Sequence, residues 1–246
     1  MNRPLMPYGA EPQPTPGRAQ SLSIIVPVLD EAAIIVPALQ ALAPLRARGV
    51  EVIVVDGGSR DGTAELARPH ADRVITAARG RGAQMNAGAD IARGDALLFL
   101  HADTRLPPDA DRLVLRALSR AAAWGRFDVR IEGRGALLSL VAATMNCRSR
   151  LTGIATGDQA MFATRRLFAT AGGFAEIPLM EDVALSRTLK RLARPACLSE
   201  RVATSGRRWE RHGVLRTIFM MWRLRLAFFL GADPAALARR YDHAEH

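Results

Sequence analysis

The chain has 246 residues, 49% of them hydrophobic, with a formal net charge of +10 and a pI near 11.2. So much apolar content builds a full core, which excludes a largely disordered chain. The charge does not mark a nucleic-acid binder: the basic residues are almost all arginine, Lys190 being the only lysine, and they are scattered with few aromatics between them. Polyphosphate or anionic lipid is the anion that such a chain suits. Cys147 and Cys197 lack companions at zinc-ligand spacing and read as inert thiols of a reducing, cytoplasmic protein.

Residues 1–20 carry Pro4, Pro7, Pro12, Pro14 and Pro16 without an apolar segment, which predicts a disordered leader that is neither signal peptide nor membrane span. The β-branched run 22–28 is the first strand, and Pro27 marks its exit from the ladder. Asp30 and Glu31 follow, before a predicted helix over 32–48 with Ile35, Leu39, Leu42 and Leu45 on one face. They either cap that helix or face a ligand over the sheet edge. Gly49 closes the helix and 50–55 is a second buried strand. The loop 56–63, with Asp56, Gly57, Gly58, Ser59, Asp61 and Gly62, allows close approach of backbone to a ligand. A short strand over 73–76 leads to Arg79, Gly80, Arg81 and Gly82 at a helix start. The third glycine of a dinucleotide fingerprint is missing, with Met85 in its place, but arginines there suit a pyrophosphate. The run 97–100 reads as a strand buried on both faces, and Pro107-Pro108 stops it, so Asp103 sits at or just past its C-terminal end. Open α/β sheets bind ligands at that edge. Asp103 either caps the loop or holds Mg²⁺ or Mn²⁺, whose shell substrate phosphates and water complete. The alternation of strand and helix predicts a parallel, Rossmann-like sheet.

In the second half, 124–132 alternates as a strand and 136–147 is an apolar helix. Arg148, Arg150 and 153–157 then form a loop that shapes an acceptor pocket or closes over a donor. Glu181 and Asp182 open a helix whose Leu185, Leu189 and Leu192 pack inward and so aim its first turn. The pair is either a charge cluster favoured by the helix dipole or a base held in the anionic form that it needs. The run 214–230 is apolar but broken by Arg216, Arg223 and Arg225, which argues against a membrane-spanning helix. It is a buried helix, a membrane-surface helix or a homodimer-forming one. A last helix covers 234–241. The expected organisation is one domain over 21–212 with a helical extension, 213–246, packed on it.

Residues 23–31, 52–63, 80–88 and 97–103 together resemble the nucleotide-sugar half of the family 2 glycosyltransferases, which share the GT-A fold. Gly157-Asp158-Gln159-Ala160-Met161-Phe162, Arg165-Arg166-Leu167-Phe168, Gly172-Gly173-Phe174 and Glu181-Asp182 follow that family's order. His101-Ala102-Asp103 and the segment 207–213 are similar to a bacterial subgroup described as radical-SAM/selenodomain-associated or arsenosugar-biosynthesis glycosyltransferases. The resemblance covers about residues 21–240.

It implies an α/β, mostly parallel GT-A sheet flanked by helices. The activity it implies is metal-dependent, inverting glycosyl transfer from a nucleotide-diphosphate sugar, a UDP-sugar first, to an unknown hydroxyl acceptor, small or lipid-like. On the donor side it points to Pro27, Asp30, Glu31, Asp56, Gly57, Asn86 and Ala102. Glu31 and Asp56 would hold base and ribose, and Arg79 or Arg81 would lie by the base or diphosphate. Asp103 would bind the metal, Asp182 would be the base with Glu181 second to it, and Arg208 and Trp209 would lie near diphosphate and acceptor. Gly157, Asp158 and Gln159 fall on the acceptor side. The chain departs from the family pattern in places. Gly57 replaces an aspartate, His101 replaces the first acid of the D-x-D element, and Ser205 replaces a glutamine, which argues against a processive polymerase. The expected place is the cytoplasm, or peripherally the inner membrane face. A non-catalytic nucleotide-sugar-binding protein is the alternative from another class. A sugar nucleotidyltransferase would need a glycine-rich loop after the first strand, and residues 27–31 contain no glycine.

Overall fold

The computed structural model describes residues 21–246 except 121, 134, 208, 210–212 and 246, so the leader 1–20 and Arg208 lie outside the described residues. Its strands are β1 (Leu22–Val28), β2 (Glu51–Asp56), β3 (Arg73–Thr76), β4 (Ala96–Phe99), β5 (Thr104–Arg105), β6 (Trp124–Glu132), β7 (Phe162–Thr164) and β8 (Ala196–Ser205). They form one eight-stranded sheet in the order β3-β2-β1-β4-β7-β6-β8-β5. The first four strands are parallel, with Ile24 beside both Val52 and Leu98, so their C-terminal ends share one edge. β7 runs antiparallel to β4 and β6, β8 runs parallel to β6, and β5 pairs antiparallel with β8. This is the mixed, mostly parallel sheet flanked by helices that the sequence predicts.

The β-branched runs of β1 and β2 are continuous because both faces are covered. Ile24 and Val26 pack on one face with Ile35, Leu39 and Val114, whereas Ile25 and Val55 pack on the other with Met85, Phe174 and Leu189, the period of two that a pleated strand imposes. A third cluster joins Leu224 and Leu237 of the C-terminal helices Val214–Phe229 and Pro234–Glu245 to Ile154, Met180 and Val183. Burying such side chains contributes about 1.5–3 kcal/mol each, enough to hold those helices on the sheet's helical layer.

Two helices differ from expectation. The segment 32–48 is broken into Ala32–Gln40 and Ala43–Arg46, because Pro44 has no N–H to donate and its ring collides with the preceding turn. The helix expected over 136–147 runs on as Ala136–Thr152 and ends where Gly153 takes φ 67. Arg148 and Arg150 are therefore helical, not part of a loop.

Candidate active site

The loops leaving β1 and β2 are sewn together over the shared edge. Ser59 Oγ accepts from Asp30 N at 2.9 Å, Asp30 Oδ1 accepts from Arg60 N at 2.8 Å, and Thr63 Oγ1 accepts from Glu31 N at 2.9 Å. Asp30 pays for this with φ 52, a left-handed conformation seldom taken by a side-chain-bearing residue. Asp56 is only 4% exposed and turns its carboxylate onto its own loop, accepting from Gly58 N at 3.1 Å and from both N and Oγ of Ser59. Gln84 donates to the carbonyls of Val28 and Val55 at 2.8 Å each and lies directly over Gly57, where a Cβ would stand 3.1 Å from its amide. A side chain at position 57 would have to push that amide aside by a few tenths of an ångström.

Beside these loops opens a cavity of about 590 Å³, lined at one end by Pro27, Glu31, Arg79, Arg81, Ala102, Asp103, Asp158, Arg207 and Trp209. Burial raises the Glu31 carboxyl above its ordinary range, the nearby Asp103 raises it further, and Arg207 and Arg81 oppose both. Arg81 is exposed to the lumen. Its environment pulls it down by desolvation but the summed fields of Glu181, Tyr241, Asp158 and Asp182 carry it upward. Carboxylate and guanidinium thus alternate around a concave site. Among the described residues no group of three or more His, Cys, Asp or Glu could form a protein cage for a metal. Asp103 lines the lumen with Glu31 in its field, so it is a carboxylate that could give a hard cation one oxygen, the rest having to come from a ligand or water.

Glu181 and Asp182 begin the helix Glu181–Leu192, entered through Met180 at φ 70. They face not the large cavity but a void of about 10 Å³ bounded by His101, Gly157, Met161 and Phe174 among others. Glu181 is 6% exposed, and its carboxyl is raised to about 7 by burial first and by Asp182 second, against the pull of Arg81 and His101. Asp182 is held by its Oδ2, which accepts from Gly157 N at 2.7 Å. His101 borders both spaces, lies 3.5 Å through Nδ1 from Asp158 Oδ1, and leaves no room for a Cβ at Gly157, which would stand 2.4 Å from its ring. The imidazole is therefore the partition between Asp182 and the lumen.

Other expected site residues have structural work. Asn86 Nδ2 donates to Phe174 O and its Oδ1 accepts from Phe174 N, both at 2.9 Å, tying the helix Arg81–Ile91 to the second half of the chain. Gln159 is fully buried, receives Thr156 N at 3.3 Å and donates to Ser149 Oγ at 3.1 Å. Neither lines the cavity. The sequence reading missed the cavity's far wall, where Leu137, Leu140, Met145, Ile218, Trp222 and Arg225 come from the helices Ala136–Thr152 and Val214–Phe229. Its signal was present: an arginine inside an apolar helix has to face either water or an anion.

Residues 23–165 match the pattern of the family described as Glycosyl transferase family 2. The chain is 30% identical over 173 residues to an undecaprenyl-phosphate 4-deoxy-4-formamido-L-arabinose transferase of Pseudomonas paraeruginosa, covering 53% of this chain and 51% of that protein. It is 38% identical over 95 residues to a PGL/p-HBAD biosynthesis glycosyltransferase of Mycobacterium bovis, covering 36% and 37% respectively. It spans about half the length, or less, of these curated relatives. Among solved structures, a mannosyltransferase from Pyrobaculum calidifontis in complex with GDP-Man and Mn²⁺ superposes with a TM-score of 0.61 at 21% identity, over 86% of this chain and 62% of that one. Glucosyl-3-phosphoglycerate synthase from Mycobacterium tuberculosis with Mn²⁺, UDP and phosphoglyceric acid superposes with a TM-score of 0.56 at 22% identity, over 76% and 70%. At such identity these structures speak for the fold.

Proposed function

Since the chain belongs to glycosyl transferase family 2, we propose that it moves a sugar, with inversion, from a nucleotide-diphosphate sugar, a UDP-sugar first, to a hydroxyl of a lipid-like or small acceptor. The observation that carries this reading is the division of labour around one cavity. Glu31, Arg79, Arg81, Asp103 and Arg207 gather where a diphosphate would lie, and Asp182 stands behind His101 toward the other side. In the reaction the bond between the anomeric carbon and the diphosphate oxygen breaks as the acceptor oxygen bonds to that carbon from the opposite face. Its proton passes to the Asp182 carboxylate, which the acceptor reaches once the His101 ring that separates it from the lumen turns aside, and the diphosphate departs as an anion. Arg81 and Arg207 stabilise the charge that develops there, where solvent is restricted. Asp103 would hold Mg²⁺ or Mn²⁺, which would neutralise the leaving diphosphate. Glu31 at the β1 exit is the residue of the donor loop placed to meet the nucleoside, while Asp56 shapes that loop from within. His101-Ala102-Asp103 and the sequence of the segment 207–213 support placing the chain in the radical-SAM/arsenosugar-associated subgroup.

A lipid-like acceptor is supported by the wall opposite Asp103 and by relatives named for undecaprenyl phosphate. No helix of the described residues is long and apolar enough to cross a membrane. Phe219, Trp222, Leu226 and Phe229 nevertheless stand 49–68% exposed on the helix Val214–Phe229, beside Arg216 and Arg223, the composition of a helix lying on an anionic membrane surface. The test of the catalytic reading is Asp182→Asn. It keeps shape but cannot take the proton, so turnover should fall by about 10²-fold or more with donor affinity retained. Turnover near wild type would leave a donor-binding protein without this base.

A further inference from the structure

Arg81 and Arg207 serve the diphosphate, but a second group of guanidinium groups has no part in that chemistry. Arg148 lies on the helix Ala136–Thr152 and Arg225 on the helix Val214–Phe229, and Arg225 lines the cavity. The Nε and Nη2 of Arg148 and the Nε of Arg225 are buried without a hydrogen-bond partner. Buried donors on charged groups are costly unless they are matched, and the mismatch here is doubled because the two charges repel. Burial first and then Arg225 and Arg126 pull Arg148 down, against Asp182, to about 10. Arg126, which adds to the repulsion, differs: it is 1% exposed but has its own counter-ion in Asp128. Water can accept from a stranded N–H but cannot offset two positive charges.

These arginines stand apart from the donor end. Arg207 and Arg81 act on Glu31, whereas Arg225 and Arg126 act on Arg148, and Asp182 is the one neighbour that Arg81 and Arg148 share. The intervening wall is apolar: Leu137, Leu140, Met145, Met221 and Trp222 line the cavity, and Leu137, Leu140 and Trp222 are also 48–68% exposed at its mouth. An anion seated on Arg225 would therefore have hydrocarbon-binding surface leading from it to the outside.

We propose that Arg225, with the charge of Arg148 close to it outside the cavity lining, forms an acceptor subsite for a phosphate-type anion carried on an apolar chain, with the anionic head on the Arg225 guanidinium and the chain running out along Leu140 and Trp222. The assignment rests on the glycosyltransferase reading, because it takes the bound molecule as the acceptor: the P–OH of its phosphate monoanion is the hydroxyl that attacks and gives its proton to Asp182. It names a chemistry rather than a compound: a phosphate monoester with an isoprenoid or acyl tail fills the site, and inorganic phosphate fills only its polar half.

The test is calorimetric titration of the full chain with farnesyl phosphate, farnesol and inorganic phosphate, and separately with UDP plus Mn²⁺. Farnesyl phosphate should bind at least about tenfold more tightly than either of the others, since it alone engages both halves. Arg148→Gln and Arg225→Gln should each weaken it by about tenfold to a hundredfold, the range of a charge-assisted hydrogen bond. UDP binding in the same samples reports that each variant is folded. Should a glutamine variant lose UDP binding too, Arg225→Lys, which keeps a point charge without the fork, should bind farnesyl phosphate more weakly than wild type with UDP binding intact. Unchanged farnesyl phosphate affinity in the folded variants overturns the subsite, as does equal affinity for farnesol. Inorganic phosphate binding as tightly as farnesyl phosphate overturns the amphiphilic acceptor. Any of these with UDP still bound leaves the donor reading standing, whereas loss of UDP binding by the wild type would overturn that reading itself.

Discussion

The substitution Glu181→Gln should make this protein more stable in base and leave it unaltered in acid. In the unfolded chain the carboxyl ionises around its ordinary 4.5, whereas in the folded chain burial and Asp182 hold the proton on to about 7, with Arg81 and His101 opposing. Well below pH 4.5 both states are protonated and the site costs nothing. As pH rises, the unfolded state releases its proton first, so the folded state loses ground until the native carboxyl has also ionised. At about 1.36 kcal/mol per pH unit, that interval makes the full penalty about 3 kcal/mol. The introduced glutamine has the shape of the protonated acid and no proton to lose, so the variant escapes the penalty. For a chain of this size about 3 kcal/mol is about 6–12 °C in Tm. Calorimetric melting of both proteins at about pH 4 and about pH 8 should show near-equal Tm values in acid and a variant that melts several degrees higher in base. Glu31 is also raised, and Asp61, Asp72 and Asp111 are lowered, but both proteins share those groups and they cancel in the difference. Equal Tm offsets at the two pH values, or a variant that melts lower in base, would refute the account of Glu181 as a carboxyl held protonated by its surroundings.

Asp103→Ala should remove the Mn²⁺ enhancement of UDP binding while Tm stays within a few degrees of wild type, since a partly exposed loop carboxylate adds little to the core. UDP titrations with and without Mn²⁺ check it, and an unchanged Mn²⁺ dependence would remove Asp103 from the metal site. Leu226→Asp, at a position 61% exposed, should weaken sedimentation with anionic phospholipid vesicles by about tenfold without changing UDP binding. Equal sedimentation would assign that helix face to something other than a membrane.

The donor half was legible because its strands are apolar runs bounded by turn residues: Ile24–Ile25–Val26 and Val52–Ile53–Val54 announce buried parallel strands without help from the rest of the chain. Each edge loop could then be placed by counting from the strand before it, which located Glu31, Arg81 and Asp103 at one edge. What could not be read was direction. Asp56 follows its strand as Asp103 nearly does, yet it turns inward, a choice made by Ser59 and Gly58 and not by any periodic pattern. Glu181 and Asp182 are chemically alike neighbours. The packing of the helix behind them decides that the first is buried and the second is held by Gly157. The far wall depends on two helices distant in sequence lying side by side, and β5 and β7, at two and three residues, are too short to carry a pattern at all.

The pairing of β5 with β8 also orders events during synthesis. Thr104 and Thr204 share the edge of the sheet through hydroxyls 3.2 Å apart although 100 residues separate them. The strands β1 to β4 lie next to one another in the sheet and can assemble as soon as they leave the ribosome, which brings Glu31 and Asp103 together early. Arg207 follows β8 and joins that pair only when the long closure is made. A nascent chain therefore holds the carboxylates of the donor site with Arg81 before Arg207 joins them, and its completed cavity is a late product of folding.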